Sequence, residues 1–502
     1  MNSFNVLNGV PATGSSFLQR DILKGKWGFD GFVITDWASI REMIKWGHAK
    51  DGADASQKAV TAGADMDMES HLYVYELVKL VQEGKVDVKL IDDAVRRILR
   101  VKFELGLFDD PYRYCNEKRE KEVIGSKASH ESVLDMAKKS IVLLKNENNL
   151  LPLKKTGQKI AVIGSLAADK NSPLGSWRIA ADDNTAVSVL EGLQQYKGNT
   201  LTYEKGAELT VNKATFLDEV VYNTTDRSGF EAAKNAAKNA DVVVMVLGEH
   251  GFSSGEGRSR TNLDLPGLQQ ELLEEIYKVN KNIVLVLNNG RPLSITWADA
   301  HIPAIVEAWH LGTETGNAVA QVLYGDYNPS GKLPMTFPRN VGQVPIYYAL
   351  LNTGRPTNAD NNVFWSHYSD VEKTPLYPFG HGLSYTTFEY GKVTLDKTSY
   401  AKGEPVKVSV TLKNTGNYDG KEVVQLYIRD EVGSLARPVK ELKGFELVAL
   451  KKGESKTVSF TLTEKELGFY NNEGQYLVEP GTFKVFVGSS SEKVQEAGFE
   501  LH

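Results

Sequence analysis

Two short stretches of this sequence carry carboxylates in settings where carboxylates do chemistry. The first is Thr35-Asp36-Trp37, directly after the apolar, β-branched Phe32-Val33-Ile34. An acidic residue at the carboxyl end of a buried parallel strand stands where α/β folds place reactive groups. Asp is equally a favoured N-cap for a following helix, and spacing alone leaves both readings open. Trp37 adds a flat indole that can lie on the apolar face of a sugar ring, although such a ring serves as well in a core. The second stretch is Ser253 to Arg260, just beyond the apolar run Val242 to Leu247, with Glu256 between Gly255 and Gly257. Glycines there let the backbone approach a ligand closely, while a lone Glu in a loop is commonly just solvated.

Competing chemistries fail on residue type. A phosphate-binding loop needs Lys followed by Ser or Thr where this chain has Arg258-Ser259, and the dinucleotide pattern G-x-G-x-x-G is not matched either. The nine histidines show no H-x-x-x-H spacing, and Asp65 with Asp67 is too sparse a set for a calcium loop, so no metal or cofactor is expected. Without a G-x-S-x-G there is no nucleophile elbow for a Ser-His-Asp triad. His381, in Phe379-Gly380-His381-Gly382, reads as a turn residue rather than a base. Cys115 is the only cysteine, which excludes an internal disulfide framework and a thiolate metal cage and fits either a reducing cytosol or a periplasm. With 58 basic and 64 acidic residues the net charge is -6, so there is no cationic surplus for nucleic acid or an anionic membrane. No apolar run reaches the roughly 18 residues of a membrane span. A neutral small molecule is the better-suited partner, and oligomeric state is left open.

These residues need elements to hold them. At 502 residues the chain is too long for one core, and roughly 100 to 200 residues per domain predicts about three. Its 41% hydrophobic and 24% charged content is that of ordinary globular domains. Phe29 to Met68 reads as strand, loop, helix, strand, with strands at Phe32 to Ile34 and Ala64 to Met68 and a helix over Asp54 to Ala62. Helical spacing continues over Tyr73 to Val81 and Leu90 to Leu105, where Gly106 gives a stop and Asp109-Asp110-Pro111 a boundary. A second region starts near Glu131 with a helix running into Ile141 to Leu144. Buried strands follow at Ile160 to Ile163, Val242 to Leu247, Ile283 to Leu287 and Ala304 to Ala308, alternating with helices such as Phe230 to Asn239 and Leu268 to Val279. This alternation predicts a doubly wound, largely parallel sheet. After Phe388 the period becomes two, as in Val406, Val408, Val410 and Leu412, and Gly- and Asn-rich turns separate the runs. An immunoglobulin-like or fibronectin-type β-sandwich of about 100 residues is expected there.

Taken in order, these fragments resemble glycoside hydrolase family 3, the β-glucosidase family. Asn2-Ser3-Phe4-Asn5 with Asn8-Gly9-Val10-Pro11 looks like its pre-nucleophile strand and turn, Gly28 to Trp37 like its nucleophile strand, and Ala62-Gly63-Ala64-Asp65 like the next one. Similarity continues through Gly106-Leu107-Phe108, Ser140 to Asn146, Leu150 to Leu153, Leu287 to Pro292, Pro375 to Thr387 and Lys413 to Gln425, and so covers nearly the whole chain.

The resemblance implies a multidomain fold of α/β and all-β parts. Residues 1–115 would be the C-terminal part of a (β/α)8 barrel, residues 116–388 an α/β sandwich with the acid/base loop, and residues 389–502 a fibronectin type III-like β-sandwich. It implies Asp36 as nucleophile, Glu256 as acid/base supplied by the second domain, and a β-glycoside or oligosaccharide as substrate. A retaining glycosidase holds two such carboxyls about 5 to 5.5 Å apart, one ionised and one protonated, so Glu256 is expected to be raised by burial and by the nearby negative charge. Two departures from the family pattern stand out. The sequence opens at what looks like the sixth barrel strand, which places the earlier strands, and any signal peptide, upstream of Met1. Phe4 occupies a position where many relatives carry Tyr, whose hydroxyl would approach the nucleophile. The opposing reading is a catalytically incompetent carbohydrate-binding or interaction remnant. Sugar identity would be sorted by the missing strands and by loops such as Asn352 to Asp370.

Overall fold

Apolar runs become sheet strands only where a neighbour accepts and returns their backbone hydrogen bonds, and the two halves of this chain differ sharply in that respect. In the computed structural model, which describes residues 1–356 and 363–502, the chain divides into two units, Met1–Ile124 and Gly125–His502. The expected loop Asn352 to Asp370 falls partly on residues 357–362, outside the described residues.

The first unit opens with a small hairpin, β1 (Val6–Leu7) and β2 (Val10–Pro11), and a π-helix over Phe17–Lys26. Five α-helices follow: α1 (Ser39–Lys45), α2 (Gly52–Ala62), α3 (Leu72–Gln82), α4 (Val88–Glu104) and α5 (Glu117–Val123). Helix α2 begins where the Asp51 carboxylate accepts the Asp54 N–H and ends at Gly63, whose φ of 106° reverses the chain. Its Ala55 and Ala59 pack on Ile40, Met43 and Leu72 as a small core. The expected strands Phe32 to Ile34 and Ala64 to Met68 are present only as one parallel bridge, Ile34 to Met66. Side chains take over the ladder there. The Val33 N–H goes to Asp65 Oδ2 at 2.7 Å and the Met68 N–H to Thr35 Oγ1 at 2.9 Å, leaving few backbone pairs to register as strand.

In the second unit helix α6 (Lys127–Ser140) leads into β3 (Val142–Asn146), then β4 (Thr156–Ile163), α7 (Val189–Gln194), β5 (Gly198–Glu204), α8 (Phe230–Lys238), β6 (Val242–Gly248), α9 (Gln269–Val279), β7 (Ile283–Asn288), α10 (Thr296–His301), β8 (Ala304–Glu307) and α11 (Thr315–Leu323). The sheet order is β3-β8-β7-β6-β4-β5, parallel throughout except for the antiparallel edge strand β3. Strands β6, β7 and β8 are wholly buried because helices cover both faces. Val244, Val286 and Val306 point toward the layer holding α7 and α11, while Met245, Leu285 and Ile305 point toward α8 and α9.

The C-terminal strands are β9 (Phe388–Tyr390), β10 (Thr394–Leu395), β11 (Ser399–Tyr400), β12 (Val406–Asn414), β13 (Gly420–Asp430), β14 (Glu441–Leu450), β15 (Ser455–Leu462), β16 (Phe469–Tyr470), β17 (Tyr476–Leu477), β18 (Gly481–Gly488) and β19 (Val494–Leu501). One sheet pairs β9, β10 and β15 around β12, and the other runs β11-β19-β18-β13-β14. Their inward residues, among them Val408, Val410, Leu426 and Val485, form one shared core. This β-sandwich is tied to the α/β part by the buried pair Lys332 and Glu422, 3.0 Å apart, and by Gln425 donating to Gly380 O at 3.0 Å.

Candidate active site

Asp36 follows the Ile34 bridge and precedes α1, with Trp37 beside it. Its backbone is held on two sides. Thr35 donates to Met66 O at 2.9 Å, and the Asp36 N–H reaches Asn2 Oδ1 at 3.3 Å while Asn2 donates to Ile34 O at 3.0 Å. Asp36 does not cap α1. That helix is capped at Ala38, in the left-handed region at φ 54°, with no side-chain acceptor, and Asp36 Oδ1 instead takes the Trp37 N–H at 2.7 Å. The second carboxylate oxygen takes no hydrogen bond among the described residues. The Trp37 ring is 63% exposed, so it is not a core residue of this unit.

The Asp65 and Asp67 pair is fully spent on structure. Asp65 accepts Lys24 Nζ at 2.7 Å on both oxygens as well as the Val33 N–H, in a pair whose side chains are 7% and 4% exposed. Burial holds the Lys24 ammonium below its usual range, against the pull of Asp65. Asp67 accepts the Ser70 hydroxyl at 2.6 Å and the Tyr73 N–H at 3.3 Å. Together they fix the turn beneath the Asp36 strand, a role their spacing did not disclose.

Glu256 belongs to the second unit, at the tip of the loop that leaves β6. Gly255 and Gly257 flank it at φ 112° and 68°, conformations that side chains rarely adopt. A Cβ on Gly255 would stand 2.7 Å from Ser176 Oγ and 3.9 Å from Trp177 Nε1. Within this unit the Glu256 side chain is exposed and accepts no hydrogen bond among the described residues. The ends of the loop, Ser253 buried and Arg258 half-buried, are tightly tied. Arg258 donates to Phe216 O at 2.6 Å and Asp218 O at 3.1 Å, Tyr222 OH bonds Ser253 Oγ, and Gly251 N–H reaches Ser172 Oγ at 3.0 Å. Beneath them sits Glu249, fully buried, paired with Arg260 at 2.7 Å and Arg291 at 3.2 Å. Its signal in the sequence is a lone carboxylate straight after an uninterrupted apolar strand.

The carboxyl edge of this sheet holds other buried titratable groups. Glu307, at the end of β8, is pushed up to about 8 by burial, opposed by hydrogen bonds from the Trp309 N–H and Asn289 Nδ2. His310, packed beside Gly175 and Gly290, is pushed down to about 4 by burial. His381 is also held at about 4, its Nε2 bonded to Leu144 O at 2.9 Å and its N–H closing a turn onto Pro378 O. That is a turn residue anchored on β3. Cys115 is free and exposed.

Three family models match the chain. The glycosyl hydrolase family 3 N-terminal domain matches residues 1–101, the family 3 C-terminal domain residues 141–385, and the fibronectin type III-like domain residues 422–491. A periplasmic β-glucosidase from Salmonella typhimurium is 45% identical over all of this chain and 67% of its own length. A β-xylosidase from Formosa agariphila is 41% identical over 96% of this chain and 66% of its own. The crystal structure of a β-glucosidase from Listeria innocua in complex with isofagomine superposes with a TM-score of 0.92 at 39% identity, covering 99% of this chain and 68% of that one. The chain thus spans about two thirds of the length of these relatives. A largely helical first unit with one parallel bridge, a largely parallel sheet between helix layers and a fibronectin-like β-sandwich occur here in the order of those three models, and the chain belongs to glycoside hydrolase family 3, a family of glycosidases.

Proposed function

We propose that this chain carries both catalytic carboxyls of a retaining, exo-acting β-glycosidase that releases a terminal β-linked sugar. Asp36 attacks the anomeric carbon as the glycosidic C–O bond breaks, and Glu256 gives its proton to the leaving oxygen. Water, deprotonated by Glu256, then displaces Asp36 from the glycosyl-enzyme intermediate. Trp37 lies against the apolar face of the sugar. No cofactor takes part in this scheme.

The observation that carries the reading is the setting of Asp36. Its carboxylate stands two residues past the Ile34 bridge in the segment matched by the family 3 N-terminal model, is oriented by its neighbour's N–H, and is free of any capping duty that would explain it otherwise. Glu256 is supported by a loop with two glycines in the left-handed region and well-tied ends, features a decaying remnant has no reason to keep. β-Glucosides are the first substrates to try, since relatives named as β-glucosidases are 45% and 35% identical to this chain, with β-xylosides next.

The test uses the full-length protein carrying Glu256→Ala. Turnover of an unactivated β-glucoside is expected to fall by about 10²- to 10⁴-fold, and azide should restore turnover of an aryl glucoside with a good leaving group as the β-glucosyl azide. A wild-type rate, or no rescue at any azide concentration, would assign the acid to another residue.

A further inference from the structure

A carboxylate with no exposed surface is retained against its desolvation cost only when it is paired and its lone pairs are used. Glu249 meets that condition with two guanidiniums, Arg260 Nη1 on one oxygen and Arg291 Nε on the other. Its backbone is fixed too: the Glu249 N–H donates to Asn288 O at 2.8 Å, and Gln269 brackets Gly248 through both its N–H and its carbonyl. Arg291 therefore emerges from the sheet edge at a set angle, with both terminal nitrogens left over. Its Nη2 donates to Ser253 O and also to Arg258 O, the latter at 2.9 Å. Ser253 and Arg258 are the two ends of the loop whose tip is Glu256, so a single planar fork cinches the loop closed from below. Arg260 donates to Glu249 and Asp264 O and, among the described residues, to neither Ser253 nor Arg258.

We infer that Glu249, acting through Arg291, is a positioning residue that sets where the Glu256 carboxyl is presented to the leaving oxygen. The inference rests on the acid/base reading of Glu256. It predicts a signature that a purely structural role does not share. Loss of structure lowers the activity toward every substrate alike, whereas a misplaced acid slows only those glycosides whose leaving oxygen needs a proton.

The experiment compares kcat/KM, which reports the first chemical step, for methyl and 2,4-dinitrophenyl β-glucoside in the full-length protein. Glu249→Gln and Arg291→Lys are each expected to lose at least about tenfold more on the methyl glucoside than on the dinitrophenyl one, in the same direction as Glu256→Ala. Equal losses on both substrates, or none, with Glu256→Ala still selective, would overturn the positioning role alone. If Glu256→Ala shows no selectivity, the acid/base reading fails and this inference falls with it. Should Glu249→Gln not fold, Arg291→Lys keeps a cation opposite Glu249 while removing the fork, and its selectivity decides the matter.

Discussion

Asp36 keeps one carboxylate oxygen on the Trp37 N–H, and its other oxygen accepts no hydrogen bond among the described residues, which leaves it open for the nucleophile role proposed. Asp36→Ala is therefore expected to lower aryl β-glucoside turnover by about 10⁴-fold or more, read as initial rates on folded protein; retained activity would remove Asp36 from the role. Asp65 is the opposite case. Asp65→Asn leaves the Lys24 ammonium buried without its counter-charge, and a drop of about 3 to 5 kcal/mol in unfolding free energy is expected, measured by denaturant titration. Spacing alone left Asp36 open between a reactive group and an N-cap, and only the fold removes the cap, because α1 is capped at Ala38. Asp65 was not legible, since Lys24 lies 41 residues away and the nearby Asp67 imitates a ligand pair. Glu249 was missed for the same reason, its partners standing 11 and 42 residues downstream.

At the scale of elements, the β6 strand and the loop after it meet at Gly248, with φ at 143° and a hypothetical Cβ only 2.0 Å from Asn288 O on the neighbouring strand. Gly248→Ala must push β6 and β7 apart at the root of the Glu256 loop. A loss of about 2 to 4 kcal/mol is expected, and a thermal midpoint unchanged from wild type would refute the close approach. Strands β6, β7 and β8 were readable as continuous apolar runs because both their faces are buried. Edge strand β5 escaped the same reading because none of its residues is fully buried and exposed positions interrupt the half-buried ones. The two expected barrel strands shrink to a bridge because Asp65 and Thr35 side chains take backbone donors that a ladder would have used.

For the molecule as a whole, three buried groups set opposing slopes of stability against pH. His310 and His381, held near 4 against an ordinary 6.5, are neutral when folded, so the unfolded chain binds more protons and stability is lost as pH falls from about 6.5 toward 4. Glu307 is the reverse: raised from 4.5 to about 8, it contributes stability that is fully present below 4.5 and is lost as pH rises through 8. Above pH 6.5 only the Glu307 slope remains among these three, worth about 2 kcal/mol by pH 8 at 1.36 kcal/mol per unit. Unfolding curves at pH 6.5 and 8 are expected to separate in the wild type and to converge in Glu307→Gln. A separation that survives the substitution would place the titration elsewhere.

The family membership of the chain and the roles proposed for Asp36 and Glu256 meet in one covalent event, the glycosyl ester on Asp36. A 2-deoxy-2-fluoro-β-glucosyl fluoride should trap it, because the C2 fluorine slows both displacements while the good fluoride leaving group at C1 restores the rate of the first alone. Mass spectrometry of the digested full-length protein is expected to find the added fluorosugar on the peptide spanning Asp36 and on no other. An active enzyme whose label sits on a different carboxylate, or which inactivates without any sugar attached, would contradict the account.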